Sequence, residues 1–169
     1  MSLLRRFLAT TLLLAAWPAA AEEAATPAGA RAKVPDFELA SLDGRFVTLS
    51  QLPPQVTLVN FWHSECPPCR REMPAIAAFA QTTPSLRVIT VALQGRRATE
   101  RDGELLPRGG LHLLGPANPR PLLARFGNRS GAVPHSAMLD RERRICARRT
   151  GEIDGAWLRD AARNCGING

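Results

Sequence analysis

The chain has 169 residues, of which 45% are hydrophobic and 22% charged; that suits one folded domain of ordinary size with a short removable leader. Its net charge of +7 is almost entirely arginine, Lys33 is the only lysine and tyrosine is absent. Basic clusters such as Arg96-Arg97 and Arg141 to Arg149 therefore lack interleaved aromatics to stack bases, which argues against nucleic acid as a partner.

Arg5 and Arg6, an apolar run from Phe7 to Trp17 and small residues ending in an Ala-x-Ala pattern read as a signal peptide over residues 1–21. The apolar run is too short for a membrane span, which needs about 20 residues. No later stretch is long enough, so no stable membrane insertion is expected after cleavage. Secretion implies the periplasm, with an uncleaved N-terminal anchor as the lesser alternative. Residues 22–33 have no apolar periodicity and read as a flexible leader, so the domain is expected to span 34–169.

Within it, Phe37 and Leu39 alternate with polar neighbours, Leu42-Asp43-Gly44-Arg45 carries a turn signature, and Phe46 to Leu49 resumes as a strand, which makes a hairpin. Ser50 is placed to cap a short helical turn. Val56 to Trp62 is a β-branched and aromatic run, as in a strand buried on both faces. A helix is expected from the Cys66 region through Phe79, opened by Pro67 and Pro68 and bent at Pro74. Leu86 to Leu93 is a second buried strand, giving a right-handed parallel crossover. There follow a helix around Thr99 to Leu106, a short strand at Leu111 to Leu114, a helix at Pro119 to Phe126, and a hairpin of Ser136–Asp140 with Arg144–Arg148. A final amphipathic helix is capped by Asp154. This order predicts an α/β fold, a central mixed sheet with helices on both faces and an N-terminal β-hairpin.

Four cysteines in a secreted chain invite disulfides. Cys66 and Cys69 are separated by two residues at a helix start, so their sulfurs can cycle between dithiol and disulfide without moving the scaffold. At the first turn, free N–H groups and the positive end of the helix dipole favour a thiolate at Cys66, the attacking nucleophile. Cys69, one turn deeper, is the resolving thiol. Pro67 and Pro68 remove two N–H donors; a less stabilised thiolate favours a reductant, while Arg70 and Arg71 act the other way. Cys146 on the last strand and Cys165 at the end of the last helix are placed for a structural disulfide. Two free thiols, or a relay to the first pair, stay open.

The run from Asn60 to Pro74, with Ala132-Val133-Pro134-His135 and Leu139-Asp140, resembles the secreted thioredoxin-like thiol–disulfide reductases of the TlpA and ResA type, from about Val34 to the end. The resemblance implies a thioredoxin-like fold and a protein-disulfide reductase that needs no cofactor. Its clients are cysteine-bearing secreted proteins, with cytochrome c maturation among the roles, and its electrons come from a thiol donor at the inner membrane. It also gives Glu72 a part in proton handling near the cysteines and assigns Trp62, Val133 and Pro134 to substrate binding. Val133-Pro134 is then a cis peptide beside the sulfurs, where the Val133 backbone can pair with an extended client. Two positions depart from the family pattern: Glu65 stands where tryptophan is common and His135 where threonine is common. The segment Gly127 to Gly131 is slightly longer than usual.

The rival from another class is a copper-binding metallochaperone in which His63, His135 and the two thiolates gather round Cu(I). Zinc on all four cysteines lacks knuckle spacing for the second pair. A peroxidase would want threonine where His63 stands, and a non-catalytic module would be expected to lose one cysteine of the pair.

Overall fold

The computed structural model describes residues 36–167. The predicted signal peptide (1–21), the leader (22–33) and the domain start at Val34 lie outside them. No helix among the described residues is long and apolar enough to cross a membrane.

The N-terminal hairpin pairs β1 (Glu38–Ala40) with β2 (Phe46–Thr48), Leu39 opposite Val47. Its turn is held by Asp43, whose carboxylate accepts from the Arg45 guanidinium at 2.6 and 2.9 Å. The second strand is one residue shorter than the sequence pattern implies. Leu49, buried, instead opens a 3-10 turn over Leu49–Gln51. Ser50 does not cap that turn; its amide and hydroxyl both bond the Asp36 carboxylate, which ties the turn to the start of the hairpin.

The main sheet contains β3 (Val56–Trp62), β4 (Leu86–Ala92), β5 (Leu111–Leu114), β6 (His135–Leu139) and β7 (Ile145–Thr150) in the order β5-β4-β3-β6-β7. β3, β4 and β5 run parallel, whereas β6 and β7 are antiparallel to their neighbours. All seven residues of β3 are buried, so alternate side chains must be covered on both faces. On one face Leu58 and Trp62 pack with Met138, with Cys69, Met73 and Ile76 of α1 (Pro67–Thr82), and with Leu158 and Ala161 of α4 (Gly155–Asn164). On the other, Val59 and Phe61 pack with Ile89, Val91 and Ala137, with Leu122 and Leu123 of α3 (Arg120–Arg125), and with Phe126, Phe37 and Leu39. Each fully buried apolar side chain of this kind contributes roughly 1.5–3 kcal/mol.

Helix α1 continues without a break through Pro74 to Thr82, although Pro74 has no N–H to offer the Arg70 carbonyl. The next helix begins earlier than its apolar pattern predicts. α2 covers Arg96–Arg101, entered from Gly95, with buried Thr99 bonding the Gly95 carbonyl, and a separate 3-10 turn follows over Gly103–Leu105.

Cys146 lies in β7 at a bulge: Met138 pairs with Ala147 and Leu139 with Ile145, which leaves Cys146 as the extra residue. It is bonded to Cys165, the residue that ends α4, with Cα atoms 5.4 Å apart. Met138 is opposite Leu58, which at about 3.3 Å per residue is roughly 13 Å down β3 from Trp62. The second pair therefore sits at the far end of the sheet from Cys66, and a direct relay between the pairs has no geometric support. A bridge closing this 19-residue separation is worth about 3 kcal/mol on chain-entropy grounds. Cys146→Ser with Cys165→Ser should lower unfolding stability by about that amount in urea titrations.

Candidate active site

The site forms where β3 ends and α1 begins. The chain leaves the sheet at Trp62, and Cys66 takes the N-cap position of α1 with extended backbone. Its sulfur accepts the Cys69 amide at 3.2 Å, as a capping oxygen would at other helix starts. Because Pro67 and Pro68 have no N–H, this is the first amide the helix can offer. Cys66 and Cys69 are joined in a disulfide with Cα atoms 5.2 Å apart. The two sulfurs are not equivalent: Cys69 is wholly buried and Cys66 half-buried. Arg70 and Arg71 are exposed and turned outward, to Asp102 and Glu152 respectively, each at 2.7 Å.

The loop before β6 completes the rim. The Val133-Pro134 peptide is cis, and the Val133 carbonyl oxygen lies 3.7 Å from the Cys66 sulfur. That loop is organised by Asn128, itself buried. Asn128 Nδ2 donates to the Ala132 carbonyl at 2.7 Å, and its Oδ1 accepts from the Ser130 hydroxyl and the Gly131 amide at 2.8 and 2.9 Å. Gly127 opens the loop at φ 87°, in the left-handed region that favours glycine, with the Arg148 side chain packed where a Cβ would stand.

Beneath the pair, Glu72 is 1% exposed. Its Oε1 accepts from Asn60 Nδ2 at 2.7 Å and its Oε2 from the Ile153 amide at 2.9 Å. Burial pushes its pKa up to about 7 from the usual 4.5, against the pull of these two hydrogen bonds, and the nearby charge of Glu152 adds to the rise.

Residues 30–100 match the AhpC/TSA family. The chain is 43% identical over 44 residues to the thioredoxin-like protein YneN of Bacillus subtilis, 26% of each chain. It is 44% identical over 39 residues to the thiol-disulfide oxidoreductase ResA of Halalkalibacterium halodurans, 23% of this chain and 22% of that one. The match thus spans about a quarter of the length of these curated relatives. The fold extends much further: a thio-disulfide isomerase from Thermus thermophilus superposes with a TM-score of 0.68 at 24% identity, covering 82% of this chain and 97% of the other. The fold is thioredoxin-like.

The fold brings Cys66, Cys69, Val133 and Pro134 to one end of the sheet, with Glu72 one turn along α1. Trp62 does not join them at the surface. It is 0% exposed, because it shares the α1 face of β3 with Leu58, and a side chain with no surface cannot touch a client; it supports the floor of the site. His135 is also buried. It pairs with Phe61 across the strands, and its ring nitrogens are engaged by the Phe126 carbonyl at 3.1 Å and the Thr150 hydroxyl at 2.9 Å. Burial lowers its pKa. This ring lies on the sheet face opposite α1, so it is not available as a copper ligand beside the thiolates. Among the described residues no three His, Cys, Asp or Glu side chains form a metal-holding group. Sequence reading missed Asn60, Ser136 and Asn128. A carboxamide in a buried strand whose other residues are β-branched, aliphatic or aromatic was the available signal for Asn60.

Glu72 ties stability to pH. Its folded pKa is raised, so the folded state binds the proton more tightly than the unfolded state; the stability linked to that proton is complete below about 4.5 and is lost as pH rises through about 7. The oxidised protein should lose roughly 3 kcal/mol between pH 5 and 8 through this group, and Glu72→Gln should flatten that part of the profile. Equal pH slopes for both proteins in denaturant melts would contradict the assignment.

Proposed function

We propose that the chain is a thiol–disulfide oxidoreductase acting as a reductase on cysteine-bearing clients. The observation that carries this is the asymmetric Cys66–Cys69 disulfide at the start of α1. The accessible sulfur is the N-cap group and lies 3.7 Å from the Val133 carbonyl, and the other sulfur is sealed beneath it. Exchange requires a thiolate to reach a sulfur in line. In the reduced protein Cys66 is the group that attacks a client disulfide, favoured as a thiolate by the helix N-terminus and the Cys69 amide. Cys69 then attacks Cys66 in the mixed disulfide, the client sulfur leaves as a thiolate, and Cys66–Cys69 re-forms. Glu72, one turn along α1 and poised near neutrality, takes the proton that Cys69 must lose. The Val133 backbone at the rim offers an extended client segment a partner.

The reducing direction is supported by the loss of donors that would otherwise add to the single Cys69 amide at the Cys66 sulfur. Two of the first helical amides are replaced by prolines, and both neighbouring arginines are held by Asp102 and Glu152. A poorly stabilised thiolate lowers the reduction potential. The names of the matched relatives, a thiol-disulfide oxidoreductase and a thioredoxin-like protein, agree with this chemistry. The N-terminal pattern supports work in the periplasm after removal of residues 1–21. There the clients include thiols awaiting haem attachment or wrongly paired secreted cysteines, with electrons drawn from a thiol donor at the inner membrane.

Purified protein should accelerate insulin reduction by dithiothreitol. Cys66→Ala should abolish this, and Cys69→Ala should accumulate a mixed disulfide through Cys66. The Cys66–Cys69 couple should have a potential below about −200 mV, nearer thioredoxin than DsbA. A value close to that of DsbA, about −120 mV, would reverse the direction.

A further inference from the structure

Asn60 is at the centre of β3 on the face that carries Leu58 and Trp62, and it is completely buried. Its Nδ2 gives both hydrogens away, to Glu72 Oε1 at 2.7 Å and to Ser136 Oγ, directly across the strand pair, at 3.0 Å. Its Oδ1 is buried with no hydrogen-bond partner. An amide acceptor left unpaired in a core costs free energy, and the two hydrogens that Nδ2 gives away suit Glu72 in one of its states only.

That state is the ionised carboxylate. A carboxylate only accepts, and Glu72 receives one donor on each oxygen, from Asn60 and from the Ile153 amide. A protonated Glu72 must donate, and the Ile153 amide cannot receive. A half-turn of the Asn60 carboxamide exchanges Nδ2 and Oδ1. Oδ1 then accepts the Glu72 Oε1–H on one lone pair and the Ser136 hydroxyl hydrogen on the other, since serine serves equally as donor or acceptor. The three side chains thus have two hydrogen-bond settings that differ by one proton and one amide rotation; the first leaves Oδ1 without a partner and the second puts Nδ2 in that same unpartnered position, so the bonds to Glu72 and Ser136 decide between them.

We propose that Asn60, together with Ser136, is a positioning residue that reverses its carboxamide as Glu72 gains or loses a proton, keeping that carboxyl in one place in both states. The inference rests on the reading of Glu72 as the proton acceptor for Cys69. In the resolving step the Cys69 proton goes to Glu72, the Cys69 sulfur pair forms the bond to Cys66, the bond from Cys66 to the client sulfur breaks, and the client leaves as a thiolate. The Glu72 proton then returns to that thiolate or to solvent. Glu72 faces Asn60 from β3 and, from the segment before α4, the Ile153 amide and the charge of Glu152; Ser136 of β6 reaches it through Asn60, and Cys69 is one turn earlier on α1. Arg71 and Glu152 pair with each other at 2.7 Å, so the proton on Glu72 is the charge change to which Asn60 responds.

The test is a pH titration of the full chain in its oxidised form, following the Glu72 carboxyl carbon and the Asn60 side-chain amide by NMR. The Asn60 amide signals should move with the same midpoint as the Glu72 carboxyl, and Glu72→Gln should abolish that movement. Asn60→Leu removes a hydrogen bond from both forms of Glu72, the stronger one from the charged form, and should raise the Glu72 midpoint by up to about one pH unit. Ser136→Ala should raise it by less than about one unit. In insulin reduction, Asn60→Leu should move the pH profile in the same direction, whereas a merely structural defect lowers the rate at every pH. Asn60 amide signals that stay flat through the Glu72 titration overturn the proposal, and that measurement needs no variant to fold. A wild-type protein that shows the coupled titration but reduces no disulfide would sink the oxidoreductase reading and leave the Asn60 inference standing.

Discussion

Seven consecutive residues of β3 are buried, so its backbone must be paired on both sides and its side chains covered on both faces. Parallel β4 and antiparallel β6 meet the first demand. The α1–α4 layer and the α3–hairpin layer meet the second. Every part of the site hangs from this strand. Its end sets where α1 starts and hence where Cys66 caps, its register with β6 brings Ser136 opposite Asn60, and its alternation sends Trp62 inward and Phe61 toward His135. A register slip by one residue would exchange the two faces and carry Asn60 away from Glu72.

The chemistry above that strand depends on unequal surroundings for similar groups. Two sulfurs one helical turn apart differ in access, because one lies at the mouth of α1 and the other faces the core. Glu72 and Glu152 differ in the same sense: one is sealed and titrates near neutrality, and the other is exposed and paired with Arg71. Burial, more than any nearby charge, raises the Glu72 pKa.

The parts legible in the sequence were those written in local pattern. The apolar run of β3, the proline-opened helix, the hairpin turn at Asp43-Gly44 and the Asp154 cap each depend on neighbours a few residues away. What was not legible depends on long-range partners. Ser50 bonds Asp36 across the hairpin instead of capping its own turn, and α2 starts at Arg96 with Thr99 buried against the core. Trp62 reads equally well as a rim residue or a floor residue until the second layer is known. His135 looked like a spare ligand because nothing in its vicinity in sequence announces the Phe126 carbonyl and Thr150 hydroxyl that occupy its ring. The directions of Arg70 and Arg71, which bear on the potential of the cysteines, are set by Asp102 and Glu152, 32 and 81 residues away.

The placement of the two disulfides at opposite ends of one sheet has a further consequence. On the proposed reading, one bond must be opened in every turnover, whereas the other joins β7 to the end of α4 and must survive many turnovers. Thiol exchange is governed by contact between sulfur atoms, and about 13 Å of packed strand separates the two. An attacking thiol that docks at the Val133 rim has no path to Cys165, which is 5% exposed. The same molecule can thus be emptied and refilled with electrons while its own fastening stays outside the circuit, a division of labour between a bond built to be spent and a bond built to last.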